Sequence, residues 1–226
     1  MQCVILAAGE GTRMRPLTLT MPKPLVPVCG VPLITHIVQS LPELIDELII
    51  VIGYKGEMIE EYCGTEFCGK RVTYVRQENP KAGTADAFMR TREFVKGRVL
   101  VMYADDIHGK KALEEVVMNE SAMLAARSDT PEKFGVLVIR PDGMLEAIVE
   151  KPEFPPSNYV NIGGFVVTDE IFDIHTNLSA SGEYYLTDTI TEYAKKHPVT
   201  VVEQDMWVPV GCPDDIPKAE AILCPR

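Results

Sequence analysis

Two textures of hydrophobic patterning divide the chain. In the first, short apolar runs alternate with amphipathic stretches. Residues 2–8 form a near-continuous apolar run of strand length, and 48–52, 72–76 and 98–103 repeat that pattern. Such runs predict strands buried on both faces. Between them, 32–44, 55–62 and 84–95 read as helices, with Glu57, Glu60 and Glu61 on a solvated face of the second. Residues 9–31, rich in Gly, Pro and Thr, predict a long loop. Strands separated by helices of about ten residues predict βαβ units and a mostly parallel sheet with right-handed crossovers.

Past residue 108 the texture changes. Strand-like segments at 122–127, 135–140, 145–150 and 160–167 follow one another with few helices between. Pro141–Asp142–Gly143 predicts a hairpin turn joining two of them. Closing helices are expected at 183–196 and 214–223. No Gly/Ser-rich linker and no internal repeat interrupts the chain, so the expectation is one α/β domain of two lobes. A nucleotide-type half spans about 1–108 and a strand-rich half about 109–226.

Charge narrows the ligand class. The 226 residues carry a net charge of −11, which disfavours nucleic acid and anionic membrane as partners. Residues 1–30 are the exception, with Arg13, Arg15 and Lys23 against Glu10 alone. Positive charge confined to one early loop suits a small anionic ligand. No apolar run approaches the ~18 residues that span a bilayer, and the first apolar stretch is too short for a secretory signal. The six cysteines form no C-x-x-C pair, and the four histidines are scattered. Free thiols, no zinc site and a cytoplasmic location are therefore expected.

The loop itself carries the first chemical signal. Gly9–Glu10–Gly11–Thr12–Arg13 follows the first strand, at the strand edge where doubly wound sheets bind ligands. Glycines there let backbone N–H groups approach phosphates closely. Met14 stands where a dinucleotide fingerprint needs its third glycine, and Pro16, Pro22, Pro24 and Pro27 forbid the helix that should follow. Lys23 lies too far from Gly11 for a Walker loop. A dinucleotide-dependent oxidoreductase is thereby disfavoured. Arg13 offers phosphate oxygens a planar fork and Lys23 a point charge; Arg15 is expected to be a surface charge.

The longer string LAAGEGTRMRPLTLTMPKPLVPVCGVPL, residues 6–33, resembles the signature of the sugar-1-phosphate nucleotidylyltransferases. The resemblance extends to QENPKAGTADA, to the strand VLVMYADD, to Phe134–Gly135, Glu150–Lys151–Pro152 and Asn161, and to the segment 183–188, taken as mainly structural. It implies a Rossmann-like fold with a strand-rich sugar-binding lobe. It also implies nucleotidyl transfer from UTP or dTTP to glucose 1-phosphate or a relative, with Mg²⁺ as cofactor. Residue by residue, it gives Arg13 and Lys23 the triphosphate and its developing charge. Leu6, Ala8, Gly9, Gly11, Thr12 and Thr84 join them at the nucleotide, and Gln77 and Gly83 meet its base, most often uracil or thymine. Gly135, Glu150, Lys151 and Asn161 hold the sugar phosphate, and Asp105 binds the metal.

Three positions depart from the pattern. Ala104 replaces a glycine, Cys212 replaces a threonine, and Pro209 stands where the family has the second metal-binding aspartate. Asp106, adjacent to Asp105, is expected to point elsewhere. Pro209 leaves two readings open: an enzyme that manages with Asp105, phosphate oxygens and water, or a nucleotide-sugar-binding regulatory homologue of weak or absent activity. No hexapeptide-repeat sequence follows, so an attached acyltransferase domain is not expected. The sugar, the choice between UTP and dTTP, and the oligomeric state, a homo-oligomer included, stay open.

Overall fold

A computed structural model describes residues 1–179, 182–204 and 206–225. The chain opens with β1 (Gln2–Ala7), then the hairpin β2 (Pro27–Val28) and β3 (Val31–Pro32), α1 (Leu33–Ser40), β4 (Glu47–Ile52), α2 (Gly56–Cys63), β5 (Glu66–Phe67) and β6 (Lys70–Arg76). It continues through α3 (Thr84–Met89), β7 (Val99–Tyr103), β8 (Asp106–His108), α4 (Lys110–Val116), β9 (Ala122–Arg127), β10 (Gly135–Ile139), β11 (Leu145–Glu150) and β12 (Tyr159–Val167). It closes with α5 (Leu186–Ala194), β13 (Thr200–Glu203), β14 (Trp207–Pro209) and α6 (Ile216–Leu223).

A ten-stranded sheet runs through both halves in the order β11-β10-β12-β7-β1-β4-β6-β5, with β9 pairing β12 and β13 beside it. The pairs β7–β1, β1–β4 and β4–β6 are parallel. The added strands β10, β11 and β12 are antiparallel. Burial on both faces explains the unbroken apolar runs: Cys3, Ile5 and Ala7 of β1 meet Ile34 and Val38 of α1, while Val4 shares the opposite layer with Phe88 of α3 and Tyr193 of α5.

The join between the halves shapes the cleft. β12 pairs with β10 at Val160 and with β7 from Gly164 onward, and its register with β9 shifts between Asn161 and Phe165. Gly163 sits in that irregularity at φ +78, where a Cβ would fall 2.2 Å from the Tyr103 ring. Glycine is required on both counts. Asn161 Oδ1 accepts the Gly163 N–H at 3.0 Å, which holds the split open.

Several elements differ from their expected extent. α1 is shorter than 32–44 because Leu41 turns extended ahead of Pro42. α3 stops at Met89, where turns closed by Thr91 Oγ1 on the Phe88 carbonyl take over. α5 begins at Leu186 because Tyr184 is engaged with the Gly83 turn: its N–H donates to Ala82 and its carbonyl accepts from Ala85. Residues 180 and 181 lie outside the described residues. α4, with Ala112, Leu113 and Val116 buried, and the strands β8, β13 and β14 were not expected.

The thiol expectation is corrected at two positions. Cys29 and Cys224 form a disulfide with Cα atoms 6.4 Å apart, bridging 195 residues of sequence, while Cys3, Cys63, Cys68 and Cys212 are free. Packing of α6 against β2 brings the two together, and the Cys29 N–H donates to Glu220 on the same helix. No spacing rule reveals a pairing made only by tertiary contact. No helix among the described residues is long and apolar enough to cross a membrane.

Candidate active site

The cleft of about 890 Å³ lies across the C-terminal ends of β1 and β7 and faces β10–β12. On one side is the loop after β1. Met14, Val26 and Val28 anchor it in a small core shared with Ile107, Val208 and Ala219. Gly11 is left-handed at φ +60, and a Cβ there would fall 3.0 Å from Lys23 Cβ and 3.1 Å from Thr18. The Thr18 hydroxyl donates to the Gly11 carbonyl at 2.8 Å, and Tyr54 OH donates to the Thr18 carbonyl at 2.8 Å. Leu6, Ala8, Gly9, Gly11, Thr12, Arg13 and Lys23 all line the cleft. Arg15 does not, and pairs with Glu10 at 3.6 Å on the surface.

Lys23 is buried, and its Nζ donates to Asp105 Oδ2 at 3.0 Å. Asp105 and Asp106 follow β7 across a short turn, and both line the cleft. This corrects the expectation for Asp106. Strict alternation does not apply because Asp105 lies in the turn after β7 and Asp106 begins β8, so the two do not share a strand. Burial, then the neighbouring Asp105, pushes the Asp106 carboxyl well up from its usual range, with Trp207, Lys23 and Arg13 partly opposing. Behind it His108 is fully buried, with Nδ1 3.0 Å from Gln204 Nε2. Burial holds its pKa down at about 4, so the ring is neutral at pH 7.

A further side of the cleft is made by Gln77, Gly83 and Thr84. Gln77 is buried and its Nε2 donates to the Gly83 carbonyl at 3.0 Å and to Asp86 Oδ2 at 2.9 Å. Gly83 stands at φ +97, and a Cβ would lie 2.4 Å from the Tyr184 carbonyl oxygen. Thr84 Oγ1 accepts from the Leu186 N–H at 3.0 Å, tying the start of α3 to α5.

The remaining wall comes from the antiparallel half. Gly135 pairs directly with Glu150, and a Cβ on Gly135 would lie 3.0 Å from Glu150 Oε2. Lys151 follows at φ 43, a conformation uncommon for a side-chain-bearing residue. Its Nζ is 3.8 Å from Glu150 Oε1. Gly135, Glu150, Lys151 and Asn161 all line the cleft, so the structure gathers every expected site residue there.

It also gathers residues that the sequence did not single out. Tyr103, at the end of β7, lines the cleft between the two walls; burial pushes its phenol up, and the side chains of Thr84 and Asn161 partly offset this. Thr187, expected to be structural, lines the cleft with a buried Oγ1 that has no hydrogen-bond partner among the described residues. Its place in the segment resembling the family pattern was the available signal. Trp207 and Pro209 of β14 line the cleft opposite β8. Among the described residues no group of three or more His, Cys, Asp or Glu side chains converges for a metal. Asp105, Asp106 and Asp215 are the carboxylates lining the loop end.

The family model described as nucleotidyl transferase matches residues 2–224. The bifunctional protein GlmU of Methanocaldococcus jannaschii is 33% identical over 226 residues, covering 99% of this chain and 54% of that protein. The UTP–glucose-1-phosphate uridylyltransferase AglF of Haloferax volcanii is 34% identical over 236 residues, covering 99% of this chain and 96% of AglF. The chain thus spans about half the length of the GlmU relatives it matches. A putative glucose-1-phosphate thymidylyltransferase from Bacillus anthracis, solved with sucrose, superposes with a TM-score of 0.85 at 27% identity, covering 98% of this chain and 94% of that one.

Proposed function

The chain belongs to the nucleotidyl transferase family, and from that premise we propose that it transfers a nucleotidyl group from UTP or dTTP to glucose 1-phosphate or a related sugar 1-phosphate. An oxygen of the sugar phosphate bonds to the α-phosphorus while the bond from that phosphorus to the departing pyrophosphate breaks. The pyrophosphate takes the electron pair. The attacking oxygen is already anionic, so no general base is needed, and catalysis is positioning plus charge stabilisation.

Arg13 and the backbone of the Gly9–Thr12 turn take the triphosphate. Lys23, held in place by Asp105, lies ready for the charge that develops at the α-phosphate. Gln77 spends its Nε2 on Gly83 and Asp86, which leaves Oε1 to accept from the imide N–H of uracil or thymine. Glu150 and Asn161 suit sugar hydroxyls, and Lys151 suits the sugar phosphate. The orphaned Thr187 hydroxyl is a further group awaiting a polar ligand.

Mg²⁺ fits this donor set. Asp105 already accepts one cation, the Lys23 ammonium, and hard carboxylate oxygens beside a triphosphate are what Mg²⁺ takes. When bound it would neutralise phosphate charge and orient the triphosphate.

The observation that carries the proposal is the meeting in one cleft of the Arg13–Lys23 loop with the Glu150–Asn161 wall. A second reading, a nucleotide-sugar-binding protein with little turnover, is favoured by Pro209 at the cleft. Pyrophosphate release measured with Mg²⁺, five nucleoside triphosphates and a panel of sugar 1-phosphates separates the two. Nucleotide-sugar formation with UTP or dTTP is the expected result. Binding of UDP- or dTDP-glucose without release in any combination would favour the second reading, and neither binding nor release would overturn both.

A further inference from the structure

The loop end of the cleft holds three aspartates, and two of them are committed. Asp105 accepts from Lys23 at 3.0 Å. Asp215 Oδ2 accepts the N–H groups of Gly211 and Cys212 at 3.0 Å each, and its Oδ1 accepts from Lys218 at 3.1 Å. Asp106 is placed differently. Among the described residues no lysine or arginine reaches ion-pair distance of it; Lys23 and Arg13 act on it only at longer range.

Its strand neighbour supplies the second observation. Asp106 is the direct cross-strand partner of Pro209 in the antiparallel β8–β14 pair. Directly opposed residues of such a pair project from the same face, with Cβ atoms about 4.5–5.5 Å apart. A carboxylate at 106 therefore serves the face that a side chain at 209 would serve, and both residues line the cleft. Beside them, Trp207 Nε1 is buried, with no hydrogen-bond partner within bonding distance among the described residues. Its N–H lies toward the Asp106 carboxyl. An N–H donor beside the carboxyl can orient it without itself being a cation ligand.

We propose that Asp106 is the second carboxylate for the divalent cation of the metal–triphosphate complex, moved across the β8–β14 ladder from the position that Pro209 occupies. This presupposes the nucleotidyl transfer proposed above. It removes the reason to read Pro209 as a loss of function: two carboxylates plus phosphate oxygens are an ordinary Mg²⁺ donor set.

The test compares wild type with Asp106→Asn, Pro209→Asp, the double variant, and the exposed control Asp214→Asn. Mn²⁺ binding is followed by the EPR signal of free Mn²⁺ in the presence of α,β-methylene-UTP, which cannot turn over. Metal-free binding of the analogue is measured alongside. Asp106→Asn is expected to lose about 10-fold or more in Mn²⁺ affinity, at least what supporting residues around a metal are worth, with metal-free analogue binding unchanged. The double variant is expected to regain Mn²⁺ affinity, and Asp214→Asn to match wild type. Mn²⁺ affinity in Asp106→Asn equal to wild type would overturn the assignment of Asp106, as would an equal loss in Asp214→Asn. A wild type that makes nucleotide sugar while Asp106→Asn keeps its full metal affinity overturns Asp106 alone. A wild type that binds no metal–nucleotide and makes no product overturns the transfer reaction as well.

Discussion

At the loop end of the cleft the lysine is sheltered and closely paired, whereas at the hairpin end the lysine stands in solvent. Lys23 is buried against Asp105, and the loop that carries it is pinned by Thr18, Tyr54 and a core of its own. Glu150 and Lys151 sit on antiparallel strands, with the lysine side chain 67% exposed and its ion pair stretched to 3.8 Å. The contrast follows from the tasks proposed for them. Stabilising charge that appears only during reaction calls for groups fixed beforehand in a dry setting. Gripping a neutral, hydroxyl-rich ring tolerates side chains that order on contact, at a cost in side-chain entropy.

Breaking the sheltered end should have the largest effect. Lys23→Ala is expected to lower kcat about 10²–10³-fold, the range for removing one preorganised donor, with KM for the sugar 1-phosphate nearly unchanged. Steady-state kinetics in both substrates checks this; unchanged turnover would remove Lys23 from the chemistry. Next comes the scaffold of that end. Cys29→Ser breaks the tie between the β2–β3 hairpin and α6, and should cost about 2–4 kcal/mol of stability in an oxidised sample. Denaturation with and without reductant checks it, because reduced wild type should then match the variant.

At the open end, Glu150→Ala is expected to raise KM for the sugar 1-phosphate about 10- to 100-fold, the worth of hydrogen bonds to a charged group, and to leave kcat less affected than Lys23→Ala does. A larger fall in kcat than in sugar affinity would erase the distinction between the two ends. The smallest effect is expected from Arg15→Ala. Its pair with Glu10 is a surface contact, worth about 0–1 kcal/mol, so rates and melting should stay close to wild type. A loss approaching that of Lys23→Ala would extend the sheltered end to include Arg15.

Much of this was legible in residue order, for reasons that differ by region. The strands of the parallel core are buried on both faces, so β1, β4 and β7 appear as apolar runs within a residue or so of their observed limits. The loop residues from Gly9 to Lys23 are close in sequence, so their joint role could be read as a string. The short strands β8 and β14 were not legible. Three-residue strands carry no usable period, and their pairing joins segments about a hundred residues apart. Asp106 was misplaced for that reason. Its orientation depends on a pairing that local alternation does not contain. Tyr103 and Thr187 escaped because each looks like core from its own segment, and only the bulge at Gly163 and the docking of α5 bring them to the cleft.

The sequence by itself determined the α/β class, the glycine-rich and cationic character of the first loop and the identity of the polar groups available to a ligand. Local pattern and residue chemistry suffice for those. Tertiary structure decided which of these groups meet: Lys23 with Asp105, Glu150 with Gly135, Asp106 opposite Pro209, Cys29 with Cys224. Such contacts depend on strand register and helix docking across the whole chain, and a residue's neighbours in sequence carry almost no information about its neighbours across a sheet.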